Sequence, residues 1–282
     1  MNGAHRLFDA AKGTRIGDRP DNQDRSLFLA SPETLLVGLA DGLGGHPRGE
    51  VAAQLLVDVS EAMFRQQSKP LPDPETFMLQ CVGKAHSAIM RFGRRQNPRI
   101  APRTTAVLAV IQQGIAYWAH VGDSRLYLIR DGAVFSQTSD HTQIRYVRQS
   151  ETEASRPRAS LTRCLGGLPQ PPTTTCGPPT PLQPGDTLLL CSDGLWGQVP
   201  RQTLLATLSD ATSPLHEALA ALIEQATRAE NSDNVTAIAL RWLAEPVSGG
   251  IDAGLVEPPV DPQLEHAIAH LNQVIGRVDD SN

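Results

Sequence analysis

No apolar run in this sequence comes near the roughly 20 residues a helix needs to cross a bilayer; the most apolar stretches, such as Leu188 to Cys191, are strand-length. The segment Met1 to Gly17 lacks the apolar core of a signal peptide. Neither sign of charge dominates. With 25 basic and 30 acidic side chains, the formal net charge is -5, which gives no electrostatic reason to expect nucleic acid or a membrane as partner. The four cysteines, Cys81, Cys164, Cys176 and Cys191, form no CxxC pair and read as scattered thiols of a reducing compartment. The eight histidines form no HExxH, so a zinc-hydrolase site has no support. There is no GxxxxGK[ST], and no GxGxxG follows a first strand, which disfavours a doubly wound nucleotide-binding fold. Aromatic residues make up only 4% of the chain. These absences leave a soluble, cytoplasmic protein, expected to be a monomer.

What is present fits one large α+β unit, since 282 residues can bury a substantial core. Phe8 to Ile16 reads as a first edge strand, and Ser26–Ala30 and Thr34–Ala40 read as a hairpin closed by Ser31-Pro32-Glu33. Gly49 to Gln67 carries Val51, Ala52, Leu55, Leu56, Val59 and Met63 on one helical face. Asp73-Pro74 supplies an N-cap and first-turn proline for a second helix running to about Phe92. Thr104–Ile111, Ile115–Val121 and Arg125–Ile129 are short β-like runs separated by turn residues, which predicts an antiparallel meander. Thr142–Gln149 reads as a short helix and Ser150–Ser160 as an exposed loop or flap. Pro169 to Pro184, with seven prolines, must be an extended connection. Thr187–Cys191 and Val235–Trp242 are strands, with helices over Pro200–Leu208 and Pro214–Arg228 between them. The domain is expected to span 1–243; residues 244–282 read as a Pro/Gly-rich linker and a short C-terminal helix, Gln263 to Ile275.

Three aspartates sit beside β-like runs: Asp41-Gly42, Asp193-Gly194 and Asp233-Asn234. Brought to one point, their carboxylates would repel one another and be costly to desolvate. Hard divalent cations solve that problem, since Mg²⁺ and Mn²⁺ take all-oxygen ligand sets. The glycines of Asp41-Gly42-Leu43-Gly44-Gly45-His46 also leave backbone carbonyls uncovered.

Seven segments, in order, make the pattern specific: Arg19-Pro20-Asp21-Asn22-Gln23-Asp24; Asp41-Gly42-Leu43-Gly44-Gly45-His46; Thr104-Thr105; Gly122-Asp123-Ser124-Arg125; Leu161-Thr162-Arg163-Cys164-Leu165-Gly166; Gly185-Asp186 through Cys191-Ser192-Asp193-Gly194-Leu195-Trp196; and Asp233-Asn234-Val235-Thr236. The chain resembles the bacterial-type PPM family, the metal-dependent serine/threonine protein phosphatases also called protein phosphatase 2C, over roughly Gly13 to Leu243. The resemblance implies a four-layer α-β-β-α sandwich with two face-to-face antiparallel sheets. It implies two Mn²⁺ or Mg²⁺ ions held by Asp41, Asp193, Asp233 and the Gly42 carbonyl, with a third, weaker ion at Asp123 and Asp193. Asp24 matches an acidic position acting on the pair through water, and Arg19 the arginine that grips the substrate phosphate.

The implied reaction is direct hydrolysis of phosphoserine and phosphothreonine by a metal-bridging water, without a phosphoenzyme. Its leaving oxygen takes a proton from His46 or from a metal-bound water; the two stay open. The implied partners are Ser/Thr-phosphorylated proteins, including a cognate kinase or its target. Three departures stand out. Leu43 stands where some members carry histidine, Arg103 precedes Thr104-Thr105 where glycine is usual, and the segment from Asp140-His141 to Leu161 is shorter than in many relatives. Asp186 reads as a turn residue, Arg125 as a structural ion-pair group, and Ser124 and Ser192 as serines without His/Asp partners. The competing readings are a catalytically weak regulatory domain that binds phosphoprotein and a structural metal-binding domain.

Overall fold

The computed structural model describes residues 7–147, 156–243 and 255–256. In chain order the elements are β1 (Phe8–Arg15), β2 (Asp24–Ala30), β3 (Thr34–Asp41), α1 (Gly49–Gln66), α2 (Pro74–Arg95), β4 (Arg103–Thr104), β5 (Ala106–Gln112), β6 (Ile115–Val121), β7 (Arg125–Arg130) and β8 (Ala133–Gln137). They continue with β9 (Thr142–Val147), β10 (Arg156–Leu161), β11 (Leu165–Gly166), β12 (Thr175–Cys176), β13 (Thr180–Pro181), β14 (Thr187–Cys191), α3 (Asp193–Trp196), α4 (Arg201–Ser209), α5 (Leu215–Thr227), β15 (Val235–Trp242) and β16 (Leu255–Val256).

Strand periodicity builds the layers. In β3, Leu35, Val37 and Leu39 point into a core shared with Val107, Ala109 and Ile111 of β5 and with Leu188, Leu190, Leu240 and Trp242 of the other sheet. Their neighbours Leu36 and Ala40 face the other way, onto α1 and α2 through Leu56, Met78, Cys81 and Ile89. In β15, Ile238, Leu240 and Trp242 face the inter-sheet core, whereas Val235, Ala237 and Ala239 pack under α3 to α5. The central strands bury both faces because each sheet lies between a sheet and a helical layer. One sheet runs β12-β6-β5-β3-β2, with β13 also on β6; the other runs β16-β1-β15-β14-β7-β8. Pairing is antiparallel except for the short β1–β16 contact. The expected four-layer sandwich is therefore the observed one.

The same registers gather the site. Asp24 pairs with Asp41 across the β2–β3 hairpin. In the other sheet Arg15 lies opposite Val235, Ala237 opposite Cys191, and Cys191 opposite Arg125. The segments just beyond these residues all leave from one end of the sandwich.

The structure corrects four local expectations. The meander fails at Gly122-Asp123-Ser124: β6 belongs to one sheet and β7 to the other, so these residues carry a crossover. Gly122 has φ +107, and a Cβ there would stand 2.7 Å from Thr105 Cγ2. The true hairpin partner of β7 is β8, joined through Asp131-Gly132, both at positive φ. Thr142–Val147 is a strand, not a helix; its Thr142, Ile144 and Tyr146 alternate at period two. It pairs with Arg156–Leu161, so the described part of the expected loop is β10. β1 is not an edge strand, since it lies between β15 and β16. The tail helix expected over 263–275 lies outside the described residues. Among the described residues no helix is long and apolar enough to cross a membrane.

At the start of β14, away from the site, Asp186 is 1% exposed and takes both forks of Arg130, at 2.8 Å from Nε and 2.6 Å from Nη2. It also accepts from the Gln183 amide, so the turn residue is also half of a buried ion pair. Arg130→Met leaves that carboxylate unpaired and should lower stability by about 3 kcal/mol. Urea unfolding checks this, and a loss below about 0.5 kcal/mol would mean the pair contributes nothing net.

Candidate active site

The carboxylates are positioned by backbone clamps. The Asp41 carbonyl accepts from the Thr105 amide and the Thr104 hydroxyl, each at 2.9 Å, and its own N–H donates to Thr105 Oγ1 at 3.0 Å. Gly42 is required by close approach, since a Cβ there would come within 2.5 Å of the Gly49 backbone at the start of α1. Asp193 opens α3. Gly194 after it lies against Asn234, where a Cβ would stand 2.1 Å from the carbonyl oxygen. Asp233 Oδ1 accepts from the Asn234 amide at 2.8 Å, and Oδ2 accepts from Arg19 Nη2 at 2.7 Å.

These groups converge on one cavity of about 890 Å³, whose walls include Arg19, Asp41, Gly42, His46, Asp123, Asp193 and Asp233. Asp24 is buried behind it, opposite Asp41. Six of the residues singled out in the sequence as metal ligands or phosphate-binding groups therefore surround one space, with His46 on the wall and Asp24 beneath.

Their electrostatics follow from burial and mutual repulsion. Asp41 is pushed well above the usual carboxylate range by burial, then by Asp24, Asp193, Asp123 and Asp233. Burial raises Asp193 too, helped by Asp233, while a hydrogen bond with Asp41 opposes the rise. Asp123 is pushed up to about 6 by burial, then by Asp193 and Asp140. Burial pushes Asp24 up to about 7, against hydrogen bonds from Ser192 and Thr236, and Asp193 and Asp233 add to the rise. Asp24 Oδ1 is buried without a partner.

Among the described residues, no three acidic, histidine or cysteine groups stand at ligand distance around a common point. Asp233 is drawn to Arg19. The donor set itself, all oxygen and several-fold anionic, fits hard divalent cations.

Other residues support the site: the partners of Asn234 and Ser192 were not evident in the sequence, whereas Arg125 is the ion-pair group expected there. Asn234 Nδ2 donates to the carbonyls of Ile16 and Asp21, and its Oδ1 accepts from the Gln23 amide, so it fastens the Arg19 loop to β15. Ser192, expected to lack an acidic partner, donates to Asp24 Oδ2 at 2.8 Å and accepts from the Thr236 amide at 3.0 Å. No histidine joins it, so it is no nucleophile. Arg125 grips Asp140 with two bonds of 2.8 Å and stacks 3.5 Å over Trp196, whose indole N–H donates to the Asp123 carbonyl. Burial, then the Arg103 charge, pushes His46 below its ordinary value.

A two-sheet sandwich with a carboxylate-lined cavity where strand ends meet defines a class of all-oxygen acidic site. The model of the protein phosphatase 2C family matches residues 14–243, and the chain belongs to that family. It is 29% identical over 286 residues to the serine/threonine protein phosphatase PstP of Mycobacterium tuberculosis, covering 95% of this chain and 53% of PstP. The chain thus spans about half the length of that relative. It is 28% identical to the serine/threonine phosphatase stp of Listeria monocytogenes, covering 78% of this chain and 90% of stp. The crystal structure of the PstP catalytic domain with two manganese ions superimposes with a TM-score of 0.66 at 29% identity, over 84% of this chain and 99% of that one.

The raised carboxyls carry a stability consequence. The fold binds more protons than the unfolded chain between about pH 4 and pH 7, so metal-free stability should fall as pH rises through that window. In EDTA, the melting temperature at pH 8 should lie about 5 °C or more below that at pH 5.5, and Asp24→Asn should narrow the gap. Equal melting temperatures at the two pH values would contradict this assignment.

Proposed function

We propose that this chain hydrolyses phosphoserine and phosphothreonine in proteins, using two divalent cations of the Mg²⁺ or Mn²⁺ type. The observation that carries this reading is the cavity itself. Asp41, Asp123, Asp193 and Asp233 come from four distant segments and share it with Arg19. Asp41, the Gly42 carbonyl, Asp193 and Asp233 would hold the two ions, and Asp123 with Asp193 a third, weaker one. The ions would neutralise the carboxylates, polarise phosphoryl oxygens and lower the pKa of water at the site.

The chain's own residues divide the remaining work. Arg19 offers a planar fork to the phosphoryl oxygens, with its 2.7 Å contact to Asp233 fixing where that fork starts. Asn234 holds the Arg19 loop against β15. Asp24, tied to Ser192, sits behind Asp41 and tunes its charge. His46 on the wall stands where it can meet the substrate, as proton donor or hydrogen-bond partner. Ser/Thr-phosphorylated proteins are the proposed partners, a cognate kinase or its target among them.

The test is turnover of phosphothreonine peptide and p-nitrophenyl phosphate with Mn²⁺, Mg²⁺ or EDTA. Activity should require the cation, and Asp193→Asn should lose about 100-fold or more in kcat/KM. Arg19→Ala should raise KM about tenfold on the phosphopeptide. Folded, metal-loaded protein that turns over none of several phosphopeptides would overturn the reading in favour of a phosphoprotein-binding domain.

A further inference from the structure

Arg103 stands where the family usually carries glycine, and its surroundings are built for a guanidinium. Its strand β4 is held on both sides: Gly166 pairs with Arg103, and the Leu43 amide donates to the Arg103 carbonyl at 3.0 Å. The side chain lines the cavity. It lies flat on Gly167, where a Cβ would come within 2.5 Å of Nε, and Gly167 has φ +78. Nε is buried and unpartnered, and among the described residues Arg103 has no carboxylate within ion-pair distance.

Two other cations near the cavity are paired: Arg19 with Asp233 and Arg125 with Asp140. Their charges reach the carboxylates, Arg19 acting on Asp193 and Arg125 on Asp123. The charge of Arg103 acts instead on His46 and Cys164. The cavity therefore has two ends: an acidic end served by Arg19, and an end at Arg103, His46 and Cys164 whose positive charge has no carboxylate partner among the described residues. A space of about 890 Å³ holds more than one phosphoryl group.

We propose that Arg103 is the anion-binding element of a second subsite, which takes a phosphoryl or carboxylate group carried by the phosphoprotein substrate a few residues from the scissile phosphate. This rests on the phosphatase reading above and adds a substrate class to it: phosphoproteins with clustered negative charge. A guanidinium with no carboxylate partner among the described residues gains from such a group, since charge-assisted bonds are stronger than neutral ones.

The experiment compares three phosphothreonine peptides of one backbone: a neutral one, one with a nearby glutamate and one with a nearby phosphoserine. Turnover and fluorescence-anisotropy affinity are both measured with Mn²⁺ on the full chain. Wild type should favour the two anion-bearing peptides about tenfold in kcat/KM and in affinity. Arg103→Ala should bring those ratios to near one, and Arg103→Lys should restore part of the preference, with melting temperatures checking that each variant is folded. The relative response to glutamate and phosphoserine tells which anion the subsite takes. A wild-type ratio of one overturns the proposal. So does a ratio that survives Arg103→Ala, or an equal loss by Arg103→Ala on all three peptides and p-nitrophenyl phosphate, which would place Arg103 on the scissile phosphate. Protein that turns over no peptide but binds the anion-bearing ones more tightly through Arg103 would keep the subsite and remove the hydrolase reading.

Discussion

The constraint on which the rest of the structure depends is the mutual repulsion of Asp24, Asp41, Asp123, Asp193 and Asp233. Burial raises the proton affinity of Asp41, Asp24, Asp123 and Asp193, and the neighbouring carboxyls raise it further. No fold gains stability from that arrangement in the absence of a counter-charge. The surrounding architecture holds them together against it. Asp41 is clamped by Thr104 and Thr105, Asp24 by Ser192, and the Asp233 segment by Asn234.

Two packed sheets serve this purpose well. Their central strands bury both faces, so the strand ends are fixed by three separate cores rather than by the loops themselves. Asp41 and Asp24 stand at strand ends, and Asp123, Asp193 and Asp233 stand two residues beyond one. Close backbone approaches at Gly42 and Gly194 remove the slack that remains. A site assembled from such distant segments is rigid because the sandwich is rigid. The positive wall at Arg103 is set by the same means, through β4 and β11.

Much of this was legible in the sequence, for physical reasons that differ by residue. Asp41 and Asp193 announce themselves by an apolar run ending in Asp-Gly, and Asp233 by Asp-Asn before one. The helices α1 and α2 carry a plain 3.6-residue stripe, and Asp73 caps α2 through the Thr76 amide. The roles of Asn234 and Ser192 were not legible, because their partners Ile16, Asp21 and Asp24 lie far away in the chain. Gly122-Asp123-Ser124 reads as a hairpin turn because a tight turn and a sheet crossover need the same residue types. Only the long-range partners of β6 and β7 decide between them. Thr142–Val147 is short enough that period two and period 3.6 are hard to tell apart without its partner, β10.

The central claim is that these carboxyls form a divalent-cation centre. The most direct measurement is calorimetric titration of the metal-free protein with Mn²⁺ at pH 6, repeated in buffers of different ionisation enthalpy. Cation binding must shift Asp41, Asp24 and Asp123 towards ionisation. The account predicts about two bound ions and a net release of roughly one proton or more. Saturable binding without proton release, or no binding at all, would contradict it.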